Sequence, residues 1–174
     1  MAAAGSAHDR NGVDLAAVQA IVERYREDPA AGQHAFSASV CWLGGYRTET
    51  ALAGTTLVRG DEPAELAGSG TGPSPEDMLL TAVGQCLIVG LAGSAAARGI
   101  EIDSLAVDVG GVVNLAAAYG VEEGSPGFRE IEIVVHLESA AGRDELEDLV
   151  AHALELAPIP NTVQRPVPVV ARLA

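Results

Sequence analysis

Hydrophobic and polar positions alternate along this chain with two distinct periods, and the places where the period changes divide it into elements. From Val13 to Tyr25 the apolar residues Val13, Ala17, Val18, Ile21, Val22 and Tyr25 recur at helical spacing, and Asp28-Pro29 stops the run. Phe36, Ala38, Val40 and Trp42 then alternate with Ser37, Ser39 and Cys41, which predicts a strand with Cys41 on its more polar face. Gly44-Gly45 reads as a two-residue hairpin turn into a second extended run over Tyr46 to Val58, and Arg59 to Thr71 reads as a glycine-rich loop. Two further strands alternate clearly. Leu105, Val107, Val109, Val113 and Leu115 share one face, as do Ile131, Ile133, Val135 and Leu137, while Asp108, Glu130, Glu132 and Glu138 point the other way. Asp144 to Ala157 is an amphipathic helix that Pro158 and Pro160 end, and Val167, Val169, Ala171 and Leu173 predict a closing strand.

One stretch has no polar face at all. Gly72 to Gly99 predicts a single long helix: Ser74 suits the N-cap, Pro75 the first helical position, and Glu76 and Asp77 the positive end of the dipole. Arg98 and Gly99 suit the other end. The 20 residues between Asp77 and Arg98 carry no charge. A helix apolar all round is either buried or membrane-spanning. Gly84, Gln85, Gly90, Gly93 and Ser94 make it weakly lipophilic, and neither aromatic residues nor a Lys/Arg cluster flank it, so a central core helix is expected and a membrane span is not. Antiparallel strand pairs interleaved with helices, without parallel βαβ alternation, give an α+β fold. Residues 1–11 read as a flexible arm, 12–34 as a helical extension and 35–174 as the domain proper.

Charge narrows the partners. With 24 acidic and 10 basic side chains and a net charge of -14, the chain is a poor match for nucleic acid or anionic lipid. Two cysteines, Cys41 and Cys86, and no signal-peptide pattern at the start suggest a reducing cytoplasm. The histidines His8, His34, His136 and His152 show no ligand spacing with each other or with the cysteines, so neither a metal nor a cofactor is expected. Gly68, Gly70 and Gly72 precede a helix, but Pro73 and Pro75 lack the N–H donors of a phosphate cradle, and Glu76 and Asp77 would repel the anion.

Glu76 and Cys86 remain as candidate chemistry. Ten residues apart on one helix, they differ by about 80° in azimuth and about 15 Å along the axis, so a shared site needs a second copy or a pocket supplied from elsewhere. By residue physics alone a cysteine inside an apolar helix is as readily an inert core thiol.

The string Gly72 to Cys86 (GPSPEDMLLTAVGQC), Arg-Gly-Ile at Arg98 to Ile100, and APIPNTVQRPVPV from Ala157 to Val169 together resemble the OsmC/Ohr family, the osmotically inducible and organic hydroperoxide resistance proteins. The resemblance runs from about Phe36 to Leu173 and implies antiparallel sheets around a long central helix, in an intertwined homodimer with active sites between subunits. It implies that Cys86 is the cysteine that attacks a peroxide O–O bond and that Glu76 helps hold the site's arginine. Arg47, one residue out of register, is the nearest match to that arginine. Where peroxidase members carry a resolving cysteine before a proline, this chain has Ala157 before Pro158. The expectation is therefore a one-cysteine hydroperoxide reductase that uses an external thiol reductant, unless Cys41 resolves the intermediate. The alternatives are a small-molecule binder for some other apolar ligand and a cysteine-dependent biosynthetic enzyme on the same scaffold.

Overall fold

The computed structural model describes residues 9–52 and 57–173. Residues 1–8 of the arm, with His8, and residues 53–56 of the second extended run lie outside them. The chain divides into two compact units: one holds the described residues up to Ala16 together with those from Ala82 onward, and the other is Ala17–Thr81. The architecture is α+β, with antiparallel sheets and one long helix.

The first unit opens with β1 (Asp9–Arg10) paired antiparallel to β2 (Val13–Asp14). The turn between them is Asn11-Gly12, with φ of 54° and 73°, the positive pair that a tight hairpin requires and that Asn-Gly supplies at least cost. This corrects the reading of 1–11 as arm throughout. The Asn11 side chain also donates to Ile100 O (2.9 Å) and accepts from Ile102 N (2.9 Å), so the hairpin clips the chain just beyond the long helix.

That long helix, α2, spans Pro75–Arg98 and follows α1 (Leu15–Glu27) in chain order. At its C-terminus Gly99 takes φ 78°, Ile100 N–H donates to Ala95 O (2.9 Å) and Gly99 N–H to Ala96 O (3.2 Å). These are the two bonds of a Schellman cap. Arg98 pairs with Asp148 at 2.6 Å. In this unit β6 (Ser104–Val113) and β7 (Phe128–Glu138) form a ladder with Leu105 opposite Leu137, Val107 opposite Val135 and Val109 opposite Ile133, the pairing that the alternation predicts. A register shift between Gly111 and Val113 takes Leu115 out of the strand into a one-turn helix, α3 (Leu115–Ala118), capped by Asn114.

Helix α4 (Arg143–Leu156) packs its Leu149 and Ala153 with Leu87, Leu91, Ala95 and Ile100 into the buried core, flanked by the apolar faces of β6 and β7. Val83, Leu87, Leu91 and Ala95 mark one buried stripe of α2 at four-residue spacing. Gly84 lets the helix approach the sheet, since a Cβ there would sit 3.0 Å from the Val109 side chain. Burying each of the fully covered leucines, Leu87, Leu91 and Leu149, contributes about 1.5–3 kcal/mol. Opposite that stripe α2 is uncovered, and Val89 is 72% exposed.

Two expectations for the C-terminal part fail. Pro158 does not end helical structure; it starts a new helix, α5 (Pro158–Gln164), because proline at the first helical position loses no intrahelical bond. Residues 165–173 form no strand: no strand of this chain pairs with them, and Val169 (94%) and Leu173 (102%) are exposed.

The second unit carries α1, a 3-10 turn over Pro29–Gly32 capped by Asp28, and a three-stranded antiparallel sheet ordered β3-β4-β5. Its strands are β3 (Ala38–Trp42), β4 (Thr48–Leu52) and β5 (Leu57–Gly60). The run Tyr46 to Val58 is thus two strands rather than one, with Thr50 opposite Val58; alternation reports faces, not reversals of direction. The β3–β4 connection is also longer than a two-residue turn: Leu43 N–H donates to Arg47 O (2.9 Å) across Gly44, Gly45 and Tyr46. Every residue of β3 is exposed, Trp42 at 75%.

The stretch read as a featureless loop is held by a buried carboxylate. Asp61, 2% exposed, accepts from Ser69 N (3.2 Å), Ser69 Oγ (2.6 Å), Thr71 N (3.0 Å), Thr71 Oγ1 (2.8 Å) and Glu62 N (2.9 Å). These donors, Ser69 first, hold its pKa far below the ordinary carboxylate value. The glycine-rich loop does cradle an anion, but the anion is the chain's own. Asp61 N–H in turn donates to Pro73 O (3.1 Å), fixing the entry to α2, where Ser74 and Asp77 form a reciprocal capping box: Ser74 N–H to Asp77 (2.9 Å) and Asp77 N–H to Ser74 Oγ (3.1 Å).

Candidate functional site

Cys86 lies on the flank of α2, between the buried stripe and the uncovered side, and is half-buried. Its position follows from the period of the helix: Val83 and Leu87 face the core, which turns residue 86 toward the junction of α4 and α5. That junction is built by the motif Ala157-Pro158-Ile159-Pro160-Asn161. Pro158 occupies the first helical position and has no N–H, so Ile159 is the first residue there with a free donor, and its N–H donates to Cys86 Sγ at 3.5 Å. Asn161 secures the kink by donating through Nδ2 to Glu155 O (2.7 Å) and Ala157 O (2.9 Å), carbonyls that the end of α4 would otherwise leave open.

Cys86 opens into a groove of about 500 Å³ whose walls are mostly apolar, with Val89, Leu156, Pro158 and Ile159 prominent. Ala157 lines it too and is 3% exposed. The residue at the place of a resolving cysteine therefore shares a groove with Cys86 and brings no sulfur to it. Gln85 and Ser94 are the other polar side chains of the lining, and among the described residues that form it there is no cation.

The remaining candidates sit apart from this groove. Arg47 is exposed in the β3–β4 connection, its guanidinium donating to Gly44 O (3.3 Å) and Leu43 O (3.4 Å). Glu76 stands in the first turn of α2 among other acids. Glu62, whose Oε2 is buried without a hydrogen-bond partner among the described residues, has its pKa raised first by burial and then by Glu76, Asp61 and Asp77. Arg47 and Glu76 form no ion pair among the described residues. Cys41 is exposed on β3, in the other unit from Cys86. Among the described residues no group of His, Cys, Asp and Glu is arranged to hold a metal ion.

Sequence reasoning found Cys86 and Ala157 but missed Ile159 and Gln85. A backbone donor has no side-chain signature, and the only signal for Ile159 was a proline placed where a helix can begin.

The family model for OsmC-like proteins matches residues 68–172. No curated protein matches the chain. Among solved structures, an OsmC-like protein from Mycoplasma pneumoniae superposes with a TM-score of 0.66 at 19% identity, over 76% of this chain and 89% of that one. An organic hydroperoxide resistance protein OsmC from Legionella pneumophila gives 0.58 at 20% identity, over 75% and 90%. The organic hydroperoxide resistance protein OhrB of Bacillus subtilis gives 0.53 at 19% identity, over 75% and 91%. At these identities the structures speak for the fold, and the match to the family model, which spans the α2 start, Cys86 and the Ala157–Asn161 kink, speaks for descent: the chain belongs to the OsmC-like protein family.

Proposed function

We propose that this protein is a thiol-dependent hydroperoxide reductase that works with Cys86 alone and an external thiol reductant. The observation that carries the reading is the groove: a half-buried thiol whose sulfur meets the Ile159 N–H, among walls suited to the organic part of a hydroperoxide. The names of the Legionella and Bacillus structures, both organic hydroperoxide resistance proteins, support the same substrate class.

In this reading the Cys86 sulfur attacks the terminal peroxide oxygen. The S–O bond forms as the O–O bond breaks, and the alkoxide takes up a proton to leave as an alcohol, with the cysteine left as a sulfenic acid. One external thiol then displaces water to give a mixed disulfide and a second releases Cys86 as the thiol, so two thiols leave as a disulfide. Ala157 supports the external route, since the groove offers no second sulfur. Glu76 and Arg47 enter as the resemblance assigns them, a carboxylate and the cation it holds.

We assign the working form to a homodimer in a reducing cytoplasm. The uncovered side of α2 at Val89 and the two exposed faces of β3 support a second copy, because contiguous apolar surface of this kind is costly in water. Hydroperoxide-dependent thiol consumption by wild type and Cys86→Ser, side by side, tests the chemistry: activity in wild type that the serine variant abolishes supports it. Tight binding of an apolar ligand with no thiol consumption by wild type would move the protein to the binder class. A single-chain mass by light scattering at micromolar concentration would remove the dimer.

A further inference from the structure

Beyond Cys86 itself, the groove holds two polar side chains, and their places on α2 separate their roles. Ser94 lies eight residues beyond Cys86, about 12 Å along the helix axis, too far to share an oxygen with its sulfur. Gln85 is the immediate neighbour, about 1.5 Å along the axis and 100° around it. It is exposed, it lines the groove, and its amide makes no hydrogen bond among the described residues. An unengaged amide with two N–H donors and one carbonyl acceptor can donate to one peroxide oxygen and accept from the O–H of the other.

We infer that Gln85 is a catalytic residue of this site, the side chain that grips the hydroperoxide over Cys86 and donates to the leaving alkoxide oxygen as the O–O bond opens. The inference rests on the reductase reading and adds to it a residue for the polar end of the substrate, in a groove whose lining includes no cation. The step is unchanged in balance: sulfur gains the terminal oxygen, the alkoxide departs with the electron pair of the O–O bond, and its proton comes from solvent. Gln85 gives up no proton; its N–H meets the negative charge as it develops on that oxygen.

The test compares Gln85→Leu and Gln85→Glu with wild type in two rates, both read at Cys86 by peptide mass: oxidation by cumene hydroperoxide and alkylation by iodoacetamide. An enclosed oxyanion donor is worth about 10²–10³ in rate. In an open groove water replaces part of it, so oxidation of Gln85→Leu should fall about tenfold with alkylation unchanged. Gln85→Glu should fall further at neutral pH and recover on acidification, when its carboxyl can donate again. Both substitutes favour helix, which keeps the fold intact. Unchanged oxidation in both variants overturns the inference while leaving the reductase reading standing, and so does a parallel fall in alkylation, which would mean a structural effect on the thiol. No oxidation of Cys86 in wild type overturns both.

Discussion

Ala157→Cys should restore to this groove the second sulfur it lacks, and the size of the effect follows from the chain between the two positions. Cys86 and Ile159 are 73 positions apart in sequence, yet Ile159 N lies 3.5 Å from Cys86 Sγ, and Ala157 lines the same groove. A disulfide between positions 86 and 157 closes a loop of roughly 70 residues, which removes about 4 kcal/mol of denatured-state entropy in the chain-entropy treatment. For a chain of this length that stabilisation raises the unfolding midpoint by about 10 °C, less whatever strain the bridge introduces. The assay is intact mass and peptide mapping after one equivalent of hydroperoxide, followed by thermal unfolding with and without reductant. The expected product is an 86–157 disulfide and a midpoint that falls on reduction. If the introduced thiol stays free, or pairs with Cys41, the argument that Ala157 faces the Cys86 sulfur is refuted, and with it the structural case for an external reductant.

Leu91, fully buried among Leu87, Leu149 and Ala153, should lose about 2–5 kcal/mol on replacement by alanine, read by urea unfolding. Asp61, whose pKa is depressed, contributes stability that is complete above the ordinary aspartate pKa of about 3.9 and is lost as pH falls below it. Asp61→Asn should therefore lower the midpoint at pH 7 and flatten the acid limb of the curve. Glu62 has a raised pKa and opposes folding when ionised, so Glu62→Gln should raise the midpoint at pH 7 with little effect in acid. Asn11→Ala should free the β1–β2 hairpin and speed amide exchange at Ile102, whose N–H loses its acceptor.

Periodicity was a sound guide where one face of an element is buried within the chain. The β6–β7 ladder and α2, from its Ser74 cap to its Gly99 exit, lie where the pattern of residues places them. Periodicity failed at punctuation. Asn11-Gly12 is the strongest short hairpin signal in the chain, yet its two-residue strands are too short to alternate. Pro158 carries the same residue type whether a helix stops or starts, and what decides is the Asn161 side chain reaching back to Ala157 O. Asp61 was invisible because a carboxylate in a polar loop looks solvated until Ser69 and Thr71 close on it. At the site, Cys86 could be read from the string around it, whereas the Ile159 donor and the freedom of Gln85 are products of tertiary packing.

The clasp of Asn11 on Ile100 and Ile102 joins residues 89 and 91 positions apart, and this orders events during synthesis. At roughly 5–20 residues per second the ribosome needs about 4–18 s to reach the partners of Asn11 after making it. Through that interval the first hairpin has nothing to hold, and α1 waits behind it with Val18, Ile21 and Val22 facing water. The beginning of the chain is thus among the last parts to acquire its native contacts, and the nascent protein depends on its net charge of -14 to keep that apolar stripe from neighbouring chains until α2 has emerged.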